Sequence, residues 1–287
     1  MAEMTLKQAW EYGNNSLETA GVEEATLDSW YLLEWATGVS KARYFMDPSR
    51  SLSDEESQKY LDGIARRGQR IPLQHITGEQ EFMGLKFLVN EHVLVPRQDT
   101  EILVEEGLKR IRPNMRVLDM CTGSGCIIIS LEQLSQKDFS GYNCKFVGAD
   151  ISLDALSKAG ENVKLHNANV ELKSTDLFEN IEGEFDIIIS NPPYIRTSVI
   201  EGLEEEVKCH DPFIALDGKE DGLYFYRRIV DEGRDYLKSG GWLLFEIGHD
   251  QREDVMSLMK EAGYDEISEK KDLAGLDRVV MARYNKR

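Results

Sequence analysis

The segment Asn191-Pro192-Pro193-Tyr194 combines residue types that suit the binding of a planar amino group. Asn191 offers a side-chain carbonyl as acceptor, and the two prolines remove two backbone donors, which leaves carbonyl oxygens free to accept. Tyr194 adds a flat apolar wall. An –NH2 group conjugated to a carbonyl or a ring would direct its two hydrogens at the Asn191 and Pro192 oxygens. Its nitrogen would then face an electrophile, and positioning would supply most of the rate without a general base.

The alternative interpretation of this tetrapeptide is an Asn-Pro turn in which Tyr194 is packed. The apolar run Phe185–Ile189 predicts a buried strand, so Asn191 lies just past the carboxyl end of that strand. Open α/β sheets bind their ligands at this edge. The position therefore favours a ligand site over a simple turn.

A small loop, Cys121-Thr122-Gly123-Ser124-Gly125, separates the predicted strand Arg116–Met120 from an apolar helix that begins at Cys126. Its glycines let a ligand approach the backbone, and the helix N-terminus offers unpaired N–H groups. The dinucleotide fingerprint would need a third glycine where Ile128 stands, so the pattern does not predict a pyrophosphate site. The loop alone is equally compatible with a tight structural turn or a cofactor site.

Two acids end the next two predicted strands. Asp150 suits a ribose diol, because one carboxylate can accept hydrogen bonds from both hydroxyls. Its alternative role is to begin the next loop and cap the helix near Ser152. Asp176 could meet an adenine amino group, and a simple turn residue is an equally good interpretation of it.

The elements that must position these residues alternate between strand and helix patterns. Strands are predicted at Arg116–Met120, Lys145–Asp150, Val170–Ser174, Phe185–Ser190, Trp242–Ile247, Tyr264–Glu269 and Arg278–Tyr284. Helices are predicted at 99–111, 126–135, 152–162, 222–238 and 250–262. This alternation predicts an α/β fold with a Rossmann-like sheet of seven strands, mostly parallel and covered on both faces. The last two strands predict an antiparallel hairpin at the sheet edge.

The first part of the chain carries helix patterns only. Thr5 and Ser53 each begin a capping box, and a second helix is predicted to carry Leu27, Trp30, Tyr31 and Glu34 and to stop near Gly38. We therefore predict an all-α helical domain over 1–75. Because it holds none of the proposed ligand-binding residues, we expect it to recognise the substrate. A linker with a β-hairpin would follow over 76–97, and the catalytic domain would cover 98–287.

Composition excludes several classes of protein. The 287 residues carry a net charge of −18, which disfavours general binding to polyphosphate. The densest basic cluster, Arg66, Arg67 and Arg70, is interpreted as a solvated helix end. No run approaches ~20 apolar residues, the N-terminus lacks the pattern of a secretory signal, and the four cysteines are expected to be free thiols in a reducing cytoplasm. No metal-ligand spacing is present among them.

With these residues in hand, the chain resembles the HemK/PrmC family of class I S-adenosylmethionine-dependent methyltransferases. The resemblance covers nearly the whole chain, and it implies methylation of the side-chain amide nitrogen of the glutamine in the GGQ motif of class-I peptide-chain release factors. It rests on the glycine loop and on the segments Pro72–Gly78, Val95–Glu101, Asn191–Tyr194, Asp211–Gly218 and Asp221–Leu223.

The resemblance also implies roles for single residues. The cofactor, S-adenosylmethionine, would contact the loop Cys121–Gly125, its ribose Asp150, and its adenine Asp176 and Leu177. Asn191–Tyr194 would bind the substrate amide, with Asn191, Pro192 and Tyr194 acting in catalysis and Asn191 also touching the cofactor. The chain departs from the family at three positions, which are Cys121 in place of glycine, Gln98 in place of proline, and Leu177 where some members carry tryptophan.

Other functions share parts of this pattern. Adenine-N6 and guanine-N2 nucleic-acid methyltransferases use similar Asn-Pro-Pro-aromatic sites, but they must bind phosphates and extrude a base. Glutamine methylation of a ribosomal protein and a non-catalytic cofactor-binding module are two further alternatives. The release-factor interpretation predicts a cytoplasmic monomer that binds a protein substrate, with neither a stable nucleic-acid partner nor a membrane.

Overall fold

The computed structural model describes residues 4–138 and 143–286. Residues 1–3 and 287, at the ends of the predicted domains, lie outside this part. The helices in chain order are α1 (Leu6–Thr19), α2 (Ala25–Thr37), α3 (Lys41–Met46), α4 (Asp54–Gly68), α5 (Leu73–Thr77), α6 (Glu101–Arg110), α7 (Cys126–Asp138), α8 (Leu153–His166), α9 (Thr197–Ile200), α10 (Glu205–His210), α11 (Phe213–Leu216), α12 (Tyr224–Tyr236) and α13 (Arg252–Glu261). The strands are β1 (Glu79–Phe82), β2 (Leu85–Leu88), β3 (Arg116–Met120), β4 (Lys145–Asp150), β5 (Val170–Ser174), β6 (Phe185–Ser190), β7 (Leu237–Glu246), β8 (Asp265–Lys271) and β9 (Asp277–Tyr284).

The described residues form two compact units. The first, called here the helical unit, takes in the residues up to Gly78 and also Glu204–His210, which contains α10. The second, called the sheet unit, takes in Glu79–Leu203 and the chain from Asp211 onward. The helical unit is therefore built from two separate stretches of the sequence.

The helical unit forms where its sequence carries start and stop signals. Both predicted capping boxes are present, with Thr5 bonded to Gln8 and Ser53 bonded to Glu56. Gly38 ends α2 with a left-handed φ of 66°, a conformation that glycine adopts without strain. Trp30 is buried in a core to which α1, α2 and α4 all contribute.

One interpretation of this unit is wrong. The buried face of α2 is carried by Trp30, Leu32 and Leu33, as the helix pattern allows, whereas the arginine cluster differs from its interpretation. Arg67 does not lie at a solvated helix end. It is buried, and its guanidinium donates to Asp28 Oδ2 at 2.6 Å and to Glu206 Oε1, on α10, at 2.9 Å. A buried arginine needs such partners, and no spacing along the chain reveals them.

In the sheet unit, the described strands form a seven-stranded sheet in the order β5-β4-β3-β6-β7-β9-β8. The first five are parallel, and β9 and β8 form the predicted antiparallel hairpin at the edge. This confirms the predicted fold class. Strand β7 begins five residues before the predicted start at Trp242, at Leu237. A separate hairpin joins β1 to β2 through Met83-Gly84, both at positive φ as a two-residue turn requires.

The register of the sheet brings the strand ends together. Met120 pairs with Ala149 on one side and with Ser190 on the other, and Ser190 pairs with Phe245. The loops that leave β3, β4, β5, β6 and β7 therefore start at one side of the sheet, which we call the carboxyl edge. None of the helices within residues 4–138 and 143–286 is both long and apolar enough to cross a membrane.

Candidate active site

The glycine loop turns sharply out of β3. Cys121, Gly123 and Gly125 all have positive φ, at 62°, 55° and 79°. Glycine adopts this conformation freely, whereas a residue with a Cβ pays roughly 1–2 kcal/mol for it. Cys121 therefore stands at a position where the backbone itself favours glycine. The cysteine at this position therefore has a local cost in backbone strain.

Hydrogen bonds to neighbouring elements hold the glycine loop in place. Thr122 donates its hydroxyl to Asp119 Oδ2 at 2.5 Å and its backbone N–H to the Ala149 carbonyl at 3.0 Å. Asn162, fully buried on α8, donates to the Ser124 carbonyl at 2.9 Å. Burial raises the pKa of Asp119 to about 8, against the lowering effect of the Thr122 hydrogen bond. The loop is thus held by contacts with β3, β4 and α8 of the sheet unit.

Asp150 ends β4 and is hydrogen-bonded both to the glycine loop and to the start of the next loop. Its Oδ2 accepts the Gly123 N–H at 2.9 Å, which ties the acid to the glycine loop. Its Oδ1 accepts the Ser152 N–H at 2.9 Å, just before α8, whose N-cap is Ser152 itself. Burial raises the pKa of Asp150, opposed by these backbone hydrogen bonds. Each carboxylate oxygen retains a second lone pair, so the geometry still fits a ribose diol.

Asp176 does not stand free at the end of β5. Its Oδ1 accepts a hydrogen bond from Arg228 on α12 at 2.8 Å, and the same guanidinium binds Glu232. Leu177, next in the chain, is buried at 4% exposure. The pair therefore offers an apolar surface beside one carboxylate that is already held by an arginine.

A cavity of about 330 Å³ opens at the carboxyl edge of the sheet. This volume lies at the lower end of the range for small-molecule sites. Gly125, Pro192 and Tyr194 are not among its lining residues. The predicted site residues that line it are Cys121, Thr122, Gly123, Ser124, Asp150, Asp176, Leu177, Asn191 and Pro193.

Asn191 follows β6 directly and reaches this cavity with its side chain partly buried. Its Nδ2 donates to the Thr100 hydroxyl at 3.4 Å, which leaves Oδ1 as the acceptor available to a ligand. The Tyr194 hydroxyl lies 3.5 Å from Glu246 Oε1, at the end of β7. Tyr194 packs against the large core cluster rather than standing as a wall of the cavity.

The segment Asp211–Leu223 fixes the backbone that follows the tetrapeptide. The Ile195 N–H donates to the Leu216 carbonyl at 3.0 Å, and the Gly218 N–H donates to the Ile195 carbonyl at 2.8 Å. Gln251 Nε2 donates to the carbonyls of both Tyr194 and Gly222. The segments Asp211–Gly218 and Asp221–Leu223, on which the family resemblance rests in part, therefore hold the backbone of the tetrapeptide in place.

Sequence reasoning missed three side chains of this site, Thr100, Arg228 and Glu246. Glu246 carried a usable signal, because it is an acid that ends a predicted parallel strand, as Asp150 is. Thr100 lies in a motif that was noticed without a role. Arg228 on α12 had no signal, because its pairing with Asp176 joins positions far apart in the chain.

The residues fit a nucleoside-containing cofactor such as S-adenosylmethionine. The cavity wall is mainly apolar, as an adenine requires, and Asp150 supplies the acceptors for a ribose. Within residues 4–138 and 143–286, no group of three or more His, Cys, Asp or Glu side chains is arranged to hold a metal ion.

Comparisons with known proteins bear on the family and the fold of this chain. The model of the PrmC N-terminal domain matches residues 8–78, and that of the methyltransferase small domain matches residues 98–214. A methyltransferase structure from Pyrococcus furiosus is 20% identical with a TM-score of 0.54, covering 77% of this chain and 100% of that one. A T. thermophilus 16S rRNA methyltransferase in complex with AdoMet and guanosine is 15% identical with a TM-score of 0.51, covering 72% and 50%. These structures support the fold.

Full-length relatives are closer. The release factor glutamine methyltransferase of Geobacter sulfurreducens is 40% identical over 281 residues, which cover 97% of this chain and 96% of the relative. That of Clostridium acetobutylicum is 40% identical over 288 residues, covering 97% and 98%. Similarity at this level over both the helical and the sheet unit identifies the chain as a member of the release factor glutamine methyltransferase family.

Proposed function

We propose that this protein transfers a methyl group from S-adenosylmethionine to the side-chain amide nitrogen (N5) of the glutamine in the GGQ motif of class-I peptide-chain release factors. One observation carries the proposal. Asn191 reaches the same cavity as the glycine loop and Asp150, with its Nδ2 turned to Thr100 and its Oδ1 available. An acceptor for an –NH2 group thus lies beside a site that fits a nucleoside.

The cofactor side of the cavity would be held by the chain's own groups. Cys121–Gly125 would let the cofactor approach the backbone closely, and Asp150 would accept the ribose hydroxyls. Leu177 would pack against the adenine, and Asp176, held by Arg228, would accept from its amino group. When bound, the cofactor supplies an electrophilic methyl group on its sulfonium sulfur.

The acceptor side orients the glutamine amide. The Asn191 Oδ1 and the Pro192 carbonyl accept the two amide hydrogens, and Pro193 removes a competing donor. Tyr194, anchored in the core near Glu246, keeps the tetrapeptide in place. The bound cofactor would supply the methyl carbon for a new carbon–nitrogen bond and would leave as the neutral thioether, and the alkylated nitrogen, now strongly acidic, would release its proton to solvent. Positioning supplies most of the rate.

The helical unit is the proposed recognition domain for the release factor. A glutamine on an exposed loop offers little surface to a narrow pocket, so selection needs contacts remote from the chemistry. We also propose that the enzyme acts as a cytoplasmic monomer without a stable nucleic-acid partner. Its net charge of −18 supports the last point, because a binder of nucleic acid must attract phosphates.

The test is methyl transfer to an unmodified release factor by the Asn191→Ala variant. We expect turnover to fall by ~10²-fold or more, as for other lost polar groups aimed at a reacting centre. Cofactor affinity should change far less. Asn285→Ala, at the edge strand near Asp265, is the matched control and should keep full activity. Near-normal turnover by Asn191→Ala would refute the assignment.

A further inference from the structure

Glu246 is a buried acid beside the proposed amide site. It ends β7, where Phe245 pairs with Ser190, so Glu246 and Asn191 leave neighbouring strands at the same level of the carboxyl edge. Its side chain is nearly inaccessible, at 2% exposure. Burying an ionisable group costs free energy unless the group is paired or hydrogen-bonded.

The groups around this carboxyl connect it to Asn191. Thr100 and Asn191 lie close enough to Glu246 that hydrogen bonding by their side chains lowers its pKa. The Tyr194 hydroxyl lies 3.5 Å from Glu246 Oε1. Thr100 also accepts from Asn191 Nδ2 at 3.4 Å. Within the part of the chain that the structure describes, Glu246 Oε2 has no hydrogen-bond partner that meets normal geometry. An open acceptor is thus buried beside the amide of Asn191.

We propose that Glu246, together with Thr100, is a positioning residue that fixes which way the Asn191 side-chain amide faces. The carboxylate and the threonine oxygen take the Nδ2 side, and Oδ1 is thereby presented to the glutamine amide. This inference rests on the proposed function, because it assigns a purpose to the orientation of Asn191.

The physical reason is the difference between the two ends of an asparagine amide. Nδ2 only donates and Oδ1 only accepts, and an ionised carboxylate only accepts. A rotated Asn191 would place Oδ1 against the carboxylate and would offer N–H groups to a substrate that itself donates. The ionised Glu246 excludes that rotamer, and a protonated Glu246 would stabilise it, because its O–H could donate to Oδ1.

The ionisation of Glu246 therefore matters near neutral pH. Burial raises its pKa to about 7, against the lowering effects of the Thr100 hydrogen bond and the Arg278 charge. The titratable or charged groups that interact electrostatically with Glu246 are Asp99 before α6, Cys126 on α7, Tyr194 after β6, Tyr226 on α12 and Arg278 on β9. Burial raises the pKa of Cys126, Tyr194 and Tyr226, so these three groups stay neutral near pH 7.

The experiment measures kcat for release-factor methylation from about pH 6 to pH 8.5, with cofactor and substrate both saturating. Saturation keeps Asp119, under the cofactor loop, from contributing through cofactor binding. For the wild type we expect kcat to fall as the pH drops through about 7, with the profile of a single group that takes up one proton. In Glu246→Gln, kcat should be on the order of tenfold lower at pH 8, since a neutral acceptor binds more weakly, and the fall at low pH should vanish.

The matched control is Glu106→Gln, the same substitution at a buried glutamate on α6 that pairs with Lys109 and Arg110. It should keep the wild-type pH profile. A Glu246→Gln enzyme that folds, binds cofactor and keeps the wild-type profile would overturn the proposal. If that variant does not fold, a wild-type kcat that stays flat down to pH 6 would overturn it equally. Full activity of Asn191→Ala would instead refute the proposed function itself.

Discussion

Replacing Gly218 by alanine tests whether the segment after α11 fixes the Asn-Pro-Pro-Tyr loop. A Cβ at this position would lie 2.7 Å from Tyr194 Cα, 2.8 Å from Tyr194 C and 2.9 Å from Gly222 Cα. All three are backbone atoms, so no side-chain rotation can relieve the contact. Ordinary contact begins near 3.4 Å, and the backbone at Tyr194 must therefore retreat by about 0.7 Å.

This displacement sets the expected effect. Overpacking of this kind typically costs 1–3 kcal/mol of stability, and a misplacement of about 1 Å can cost ~10²-fold in rate. We expect Gly218→Ala to lower kcat on a release factor by roughly 10- to 100-fold. Affinity for S-adenosylmethionine should change little, because Gly218 contacts neither the glycine loop nor Asp150.

Thermal melting, calorimetry with the cofactor and a methylation assay would measure these three quantities. Gly160→Ala is the matched control. Gly160 lies in α8, where alanine suits a helix better than glycine, and its Cβ would lie 3.9 Å from Leu172 Cδ1 on β5. A folded Gly218→Ala enzyme with wild-type kcat would show that the loop does not need this contact, and the positioning argument would fail.

Two further predictions concern the cofactor and the substrate. Asp150→Ala should weaken binding of S-adenosylmethionine by ~1.5–3 kcal/mol, the usual value for a hydrogen bond to a charged group, and unchanged affinity in calorimetry would remove Asp150 from the site. A short peptide containing the GGQ motif should be methylated with kcat/KM lower than the intact release factor on the order of tenfold or more, because it lacks contacts remote from the reacting amide. Equal kcat/KM values would refute a recognition role for the helical unit.

The sequence predicts the sheet unit well because its signals are local. Alternating strand and helix patterns locate β3 to β9, and the parallel direction of β3 to β7 follows from the preference for parallel strands joined by crossover connections. The glycine loop, Asp150 and Asn191 are predictable for the same reason, since each lies at the end of a strand or directly after it. A residue at a strand end needs only its neighbours in sequence to be recognised.

What the sequence does not reveal are the contacts between distant segments. The burial of Arg67 depends on Glu206, and the grouping of α10 with the helical unit follows from the same kind of long-range contact. Asp176 gains Arg228 from another element. The need for a small residue at Gly218 arises from the backbone at Tyr194, which no periodicity indicates.

The most direct test of the account maps the transferred methyl group. The protein would be incubated with isotopically labelled S-adenosylmethionine and an unmodified class-I release factor, with DNA and RNA assayed alongside, and the products would be analysed by mass spectrometry. The account predicts one labelled methyl group on the side-chain amide nitrogen of the GGQ glutamine, and none on either nucleic acid. Labelling of a base, or of a release-factor residue other than that glutamine, would contradict it.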